Sequence, residues 1–179
     1  RRLAINISPR DVVTSNVFEL IHELSDEANL HPENLRLEFV EHTAMPSSSN
    51  FLQRVEKAVA AGYSMALNDF GTGSSALIHL IDLPVDTIKL DASLIRRLSS
   101  DLKTRVLVDS IVSVAAELGV DTIAEGIEQE SEYNLVKSLG CTAAQGFMIG
   151  SFDELTEFTA WAKQLSDDST HKATDRCMG

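Results

Sequence analysis

A strand-length apolar segment followed by a stretch of helical periodicity recurs six times along the chain, and this alternation restricts the fold more than any other feature of the sequence. The strand candidates are Leu3 to Ile7, Leu35 to Val40, Ser64 to Leu67, Thr87 to Leu90, Thr122 to Ala124 and a weaker Thr142 to Ala144. Ser8-Pro9-Arg10-Asp11 offers a cap, a proline at the first helical position and an acid in the first turn; Val13, Val17, Leu20, Ile21 and Leu24 follow as an apolar stripe. Phe51, Leu52, Val55, Ala58 and Val59 make a second stripe ended by Gly62, and Val106, Ile111, Val114, Ala115 and Leu118 a third ended by Gly119. Further helices are expected at Ala76 to Ile81, Glu132 to Leu139 and Leu155 to Leu165. Such a chain builds a parallel sheet with covering helices, either doubly wound or closed toward a barrel.

Polar residues decide between the two. Asn6, Glu38, Asn68 with Asp69, Lys89 with Asp91, Glu125, and Gln145 stand at or just beyond the C-terminal ends of successive strand candidates. Any one of them would pass as a solvated loop residue or a helix cap. In series they ask for a common explanation, because buried carboxylates and amides are costly unless paired, hydrogen-bonded or metal-bound. An (α/β) barrel supplies it, since its strand ends meet in a ring at one face where sites are assembled from several strands.

The 179 residues fit one globular domain, expected over residues 1–165, and the polar run 166–179 is expected to be a disordered tail. No segment approaches the roughly 18 uncharged apolar residues that a membrane span requires, so no membrane contact is expected of this segment. A net charge of -12 argues against DNA or RNA as partner, since sequence-independent grip on nucleic acid comes from clustered Lys and Arg. A phosphate ligand would need compensating positive charge, most simply from divalent metal ions. Cys141 and Cys177 are too few for a disulfide framework, which suits a reducing cytoplasm.

The segments Ala4-Ile5-Asn6-Ile7-Ser8, Leu37-Glu38-Phe39-Val40-Glu41, Asn68-Asp69-Phe70-Gly71-Thr72-Gly73, Ile88-Lys89-Leu90-Asp91, Ala124-Glu125-Gly126-Ile127-Glu128 and Gln145-Gly146-Phe147 resemble, in order, the signature segments of EAL domains. The resemblance implies a TIM-like (α/β) barrel of EAL type. It also implies a bacterial cytoplasmic phosphodiesterase activity that linearises cyclic di-GMP with two divalent cations, Mg2+ or Mn2+. Residue by residue it implies metal-ligand positions at Asn6, Glu38, Asn68, Asp69 and Glu125, with Lys89, Glu125 and Asp69 catalytic. Gln145, Asp91 and Glu128 are implied in ligand binding; Glu41 and the loop Phe70, Gly71, Thr72, Gly73 are implied in coupling a homodimer to the site. An upstream sensory or GGDEF-type domain is a further implied partner.

The sequence also departs from the family's pattern. Asn68 stands where the family has an aspartate; an amide oxygen can ligate but brings no charge, so the two-metal site should be weakened. Ser74, Ala76 and Ala92 replace a tyrosine, a serine and a commonly basic residue of the family, and Ser151-Phe152 lies where a proline is usual. The name-giving Glu-Ala-Leu segment lies upstream of the first residue, and about two βα units of the eight in a closed barrel are unaccounted for. Either the chain is part of a longer polypeptide, or the strands come from elsewhere, or the fold closes differently. The expected function is therefore an impaired cyclic di-GMP domain acting in nucleotide binding or protein interaction. The alternative is an active phosphodiesterase yielding linear pGpG.

Overall fold

The structure, a computed structural model, describes residues 2–40, 48–71 and 76–150. Strands β1 (Leu3–Asn6), β2 (Leu35–Val40), β3 (Ser64–Phe70), β4 (Thr87–Leu90), β5 (Asp121–Ala124) and β6 (Ala143–Ala144) form one curled sheet. All neighbours pair in parallel, and their order in space is their order in sequence. A doubly wound sheet reverses its strand order at a switch point. Among the described residues this sheet never does, so it is an open segment of an (α/β) barrel, as expected.

Each crossover is made by helices: α1 (Pro9–Thr14) and α2 (Val17–Glu27), then α3 (Ser49–Ala60), α4 (Ala76–Asp82), α5 (Ala92–Arg97) with α6 (Leu102–Glu117), and α7 (Glu130–Ser138). The helical side of the sheet holds the core. Leu35, Leu37, Phe39, Met65, Leu67, Ile88 and Leu90 face Phe51, Val55, Val108 and Ile111 there, with the Phe39 and Phe51 rings 5.7 Å apart. Alternate residues of the same strands, Arg36, Glu38, Ser64, Ala66, Lys89 and Ile123, face the barrel interior, as the period of two requires.

Gly62 and Gly119 do end α3 and α6 with positive φ. Other expectations need correction. The single helix expected after Ser8 is two, because its last residues turn their side chains onto their own backbone. Thr14 Oγ1 donates to Arg10 O at 3.0 Å and Ser15 Oγ to Asp11 O at 2.8 Å. Arg54 completes the break by donating to the carbonyls of Val12 at 3.0 Å and Ser15 at 2.7 Å. On that stripe only Ile21 is buried, while Leu20 and Leu24 are exposed. In α6, Val108 and Val112 face the core instead of Val106 and Val114. The expected helix over Leu155 to Leu165 lies outside the described residues.

Helix α6 begins at Asp101, whose carboxylate accepts from Lys103 N at 2.9 Å, Thr104 Oγ1 at 2.7 Å and Arg97 Nη2 at 2.6 Å. The Thr104 hydroxyl first, then Arg97 and the Lys103 N–H, hold this carboxyl below its ordinary 3.8. A depressed acid stabilises the fold above its unfolded value and loses that contribution as pH falls through the folded one. Asp101→Asn should therefore lower the thermal midpoint at pH 7, and the deficit should shrink once the pH drops below 3.8. Melts of both proteins across that range check it; a deficit independent of pH would contradict it.

Candidate functional site

The interior-facing side chains of β2, β4 and the end of β5 meet at the C-terminal side of the sheet. Lys89 Nζ lies 3.0 Å from Glu38 Oε2 and 2.7 Å from Glu125 Oε1, and the Lys89 and Glu38 side chains are only 7% and 3% exposed. Three residues separated by 51 and 36 positions are thus joined by one ammonium. Desolvation is the largest single influence on Lys89 and works against its charge, but the hydrogen bonds and charges of Glu125 and then Glu38 outweigh it. The ammonium is held above the ordinary lysine range.

Backbone bonds beyond the strand ends fix this arrangement. Glu125 N donates to Leu90 O at 3.1 Å, Gln145 N to Ala124 O at 2.8 Å, and Ile127 N to Gln145 O at 3.0 Å. Asn6 is the register partner of Glu38, so both project to the same side of the sheet. Next to them β3 carries an irregularity that the sequence did not announce: the strand expected to stop at Leu67 runs on to Phe70. Leu67 pairs with Ile88 and Phe70 with Leu90, so Asn68 and Asp69 together stand opposite Lys89. This is a β-bulge, a device that re-aims side chains beside sites. Asp69 sits in it at φ 56, a conformation that a non-glycine residue holds only when its surroundings impose it.

The bulge also lets Leu67 and Phe70 both face the helical core, where Phe70 is fully buried. Gly71 follows at φ 94, and a Cβ there would come within 2.7 Å of Leu94 Cδ1. Asn68 is half-buried, and its buried Oδ1 has no hydrogen-bond partner among the described residues.

Of the remaining expected site residues, Asp91 has another role. Asp91 caps α5, its Oδ1 accepting from Ser93 N at 2.8 Å. The Glu128 and Gln145 side chains are exposed. Glu41, Thr72 and Gly73 lie outside the described residues. Sequence reading also passed over a polar floor at the other end of the interior. Asp86 accepts from Ser64 Oγ at 2.8 Å, Thr87 Oγ1 at 2.7 Å and Met65 N at 3.3 Å, and Arg36 Nε donates to the same Ser64 Oγ at 3.4 Å. The available signal was Arg36, two residues from Glu38 and therefore on the same face. At the N-terminal side of a barrel such a network serves stability.

Among the described residues no three His, Cys, Asp or Glu are grouped so as to hold a metal ion. What the site offers is the paired carboxylates of Glu38 and Glu125, an orphaned amide oxygen at Asn68, and Asp69 and Asn6 on adjoining strands. An all-oxygen donor set of this kind suits hard divalent cations such as magnesium or manganese.

An open barrel with acids and amides at its C-terminal strand ends defines the class, and comparison with known proteins gives the family. The EAL domain model matches residues 1–151, and the chain belongs to that family. It is 32% identical over 148 residues to MucR of Pseudomonas aeruginosa, a bifunctional diguanylate cyclase and cyclic di-GMP phosphodiesterase, covering 83% of this chain and 22% of MucR. It superimposes on the EAL domain of Mycobacterium smegmatis DcpA with a TM-score of 0.85 at 29% identity, covering 91% of this chain and 73% of that one. With the manganese and cyclic di-GMP complex of Klebsiella pneumoniae BlrP1 the TM-score is 0.76 at 29% identity, over 82% of this chain and 38% of that one.

Proposed function

We propose that this chain is a cyclic di-GMP-binding EAL unit with impaired hydrolysis, serving in nucleotide recognition or protein interaction. Asn68 carries this reading. Its buried Oδ1, without a partner among the described residues, is a ligand atom suited to a cation, because leaving such a group unsatisfied costs about 1–3 kcal/mol. The amide adds no negative charge, however, so a divalent ion would be held less firmly than at a carboxylate. Glu38, Glu125, Asp69, Asn6 and Asn68 would hold magnesium or manganese, and the ions when bound would supply positive charge and an activated water for displacement at phosphorus. Lys89 keeps the two glutamates converged and brings a fixed cation to a chain of net charge -12.

The same reading includes a cytoplasmic setting, an upstream GGDEF-type or sensory domain as in MucR's bifunctional name, and homodimerisation beside the segment after Asp69. Helix α4 supports the last of these, since it exposes Leu77, Ile78 and Ile81 just beyond that segment.

Calorimetry with cyclic di-GMP and MnCl2, paired with chromatographic assay for pGpG, tests the proposal. Micromolar binding with little turnover is expected, and Asn68→Asp should raise turnover at least tenfold. Rapid turnover by the natural sequence would favour the alternative of an active phosphodiesterase. Absence of nucleotide binding would leave only the protein-interaction role.

A further inference from the structure

We propose that the Lys89 ammonium and a divalent cation compete for Glu38 and Glu125, so that a metal ion takes both carboxylates only by displacing this built-in counter-ion. The inference rests on the metal-site reading above and adds a mechanism by which this chain limits its own metal loading. Oxygens from β2 and from the end of β5 converge on a single nitrogen at 3.0 and 2.7 Å, the kind of approach that two carboxylates make to a shared cation. Both glutamates are largely withdrawn from water, with Glu38 3% and Glu125 17% exposed. Two such carboxylates repel unless a cation stands between them, and Lys89 already fills that role from within the fold.

Lysine is suited to yield the place. Its ammonium is a point charge on a flexible four-carbon stem, without the planar fork that fixes arginine on a carboxylate. Asn68 tilts the competition further. Of the two residues opposite Lys89, Asn68 is an amide and only Asp69 an acid, so the pocket has less negative charge for an incoming ion than two acids would give, and one lysine neutralises a larger share of it.

The test is manganese titration of the full chain by calorimetry, natural sequence against Lys89→Met, together with thermal melts in EDTA and in MnCl2. Lys89→Met should bind Mn2+ at least tenfold more tightly, melt lower than the natural sequence in EDTA, and recover most of that loss on adding Mn2+. A natural chain that binds Mn2+ with a variant that binds no more tightly overturns the competition and leaves the proposed function standing. Failure of both proteins to bind Mn2+ overturns both. Should Lys89→Met not fold, reductive methylation of the natural chain followed by mass spectrometry gives the answer. Lys89 should be protected in EDTA and modified several-fold more in saturating MnCl2; unchanged protection overturns the proposal.

Discussion

Alanine at Gly146 is expected to destabilise the fold by about 3 kcal/mol or more, because the added methyl meets backbone and has no flexible side chain to displace. A Cβ there would run into Ile127 O and Ile127 N and come within 2.7 Å of Ile127 C. Contacts below 3.0 Å are essentially never tolerated by real Cβ atoms, so the two segments would have to separate. Separation breaks the bonds that hold them together: Ile127 N to Gln145 O at 3.0 Å and Met148 N to Ile127 O at 3.0 Å. Ile127 is fully buried, so the disturbance reaches the core as well. It also loosens the turn that begins at Glu125, which couples a steric change at Gly146 to the site two residues before Ile127. Urea denaturation measures the effect, and a loss below 1 kcal/mol would show that the two segments pack less closely than described.

Glu38→Gln should have the opposite profile, with a large effect on binding and a small one on stability. The amide keeps nearly the same shape and can still accept from Lys89 through its oxygen, while Lys89 retains Glu125 at 2.7 Å. The buried group loses net negative charge, so the melting midpoint should move little. A divalent ion loses one of its charged donors. Weakening even the support behind a metal ligand costs roughly 10 to 100-fold in affinity, and the loss of a direct donor should cost at least the upper end of that range. Manganese titration with a parallel melt distinguishes the outcomes. Unaltered Mn2+ affinity would remove Glu38 from the metal site, and a collapse of the midpoint would make its role structural.

The contrast between the two substitutions reflects how the chain encodes its fold. Alternation of apolar segments placed β2 and β4 at their observed limits, and Gly62 and Gly119 marked the ends of two helices, because strand period and helix termination are local properties of neighbouring residues. Polar residues at the strand ends likewise announced a shared face. Which of them touch was not legible. Asp91 stands two residues from Lys89 and looks equally suited to a site, yet it caps α5, because a backbone N–H two positions on was the nearer partner. The split between α1 and α2 depended on Arg54, some forty residues away, and on back-bonding that hydrophobic periodicity does not register.

By itself the sequence determined a parallel sheet with covering helices, its sequential βα units, and a row of acids and amides at one end of it. Only the tertiary structure decided that Glu38, Lys89 and Glu125 form one ion-paired cluster, and that Asn68 and Asp69 share a bulge opposite that lysine. The physical reason is register. Side chains alternate across a strand, so one extra residue in β3 sends everything after it to the other face. That slip is defined by the pairing of β3 with β4, and no local run of residues contains it.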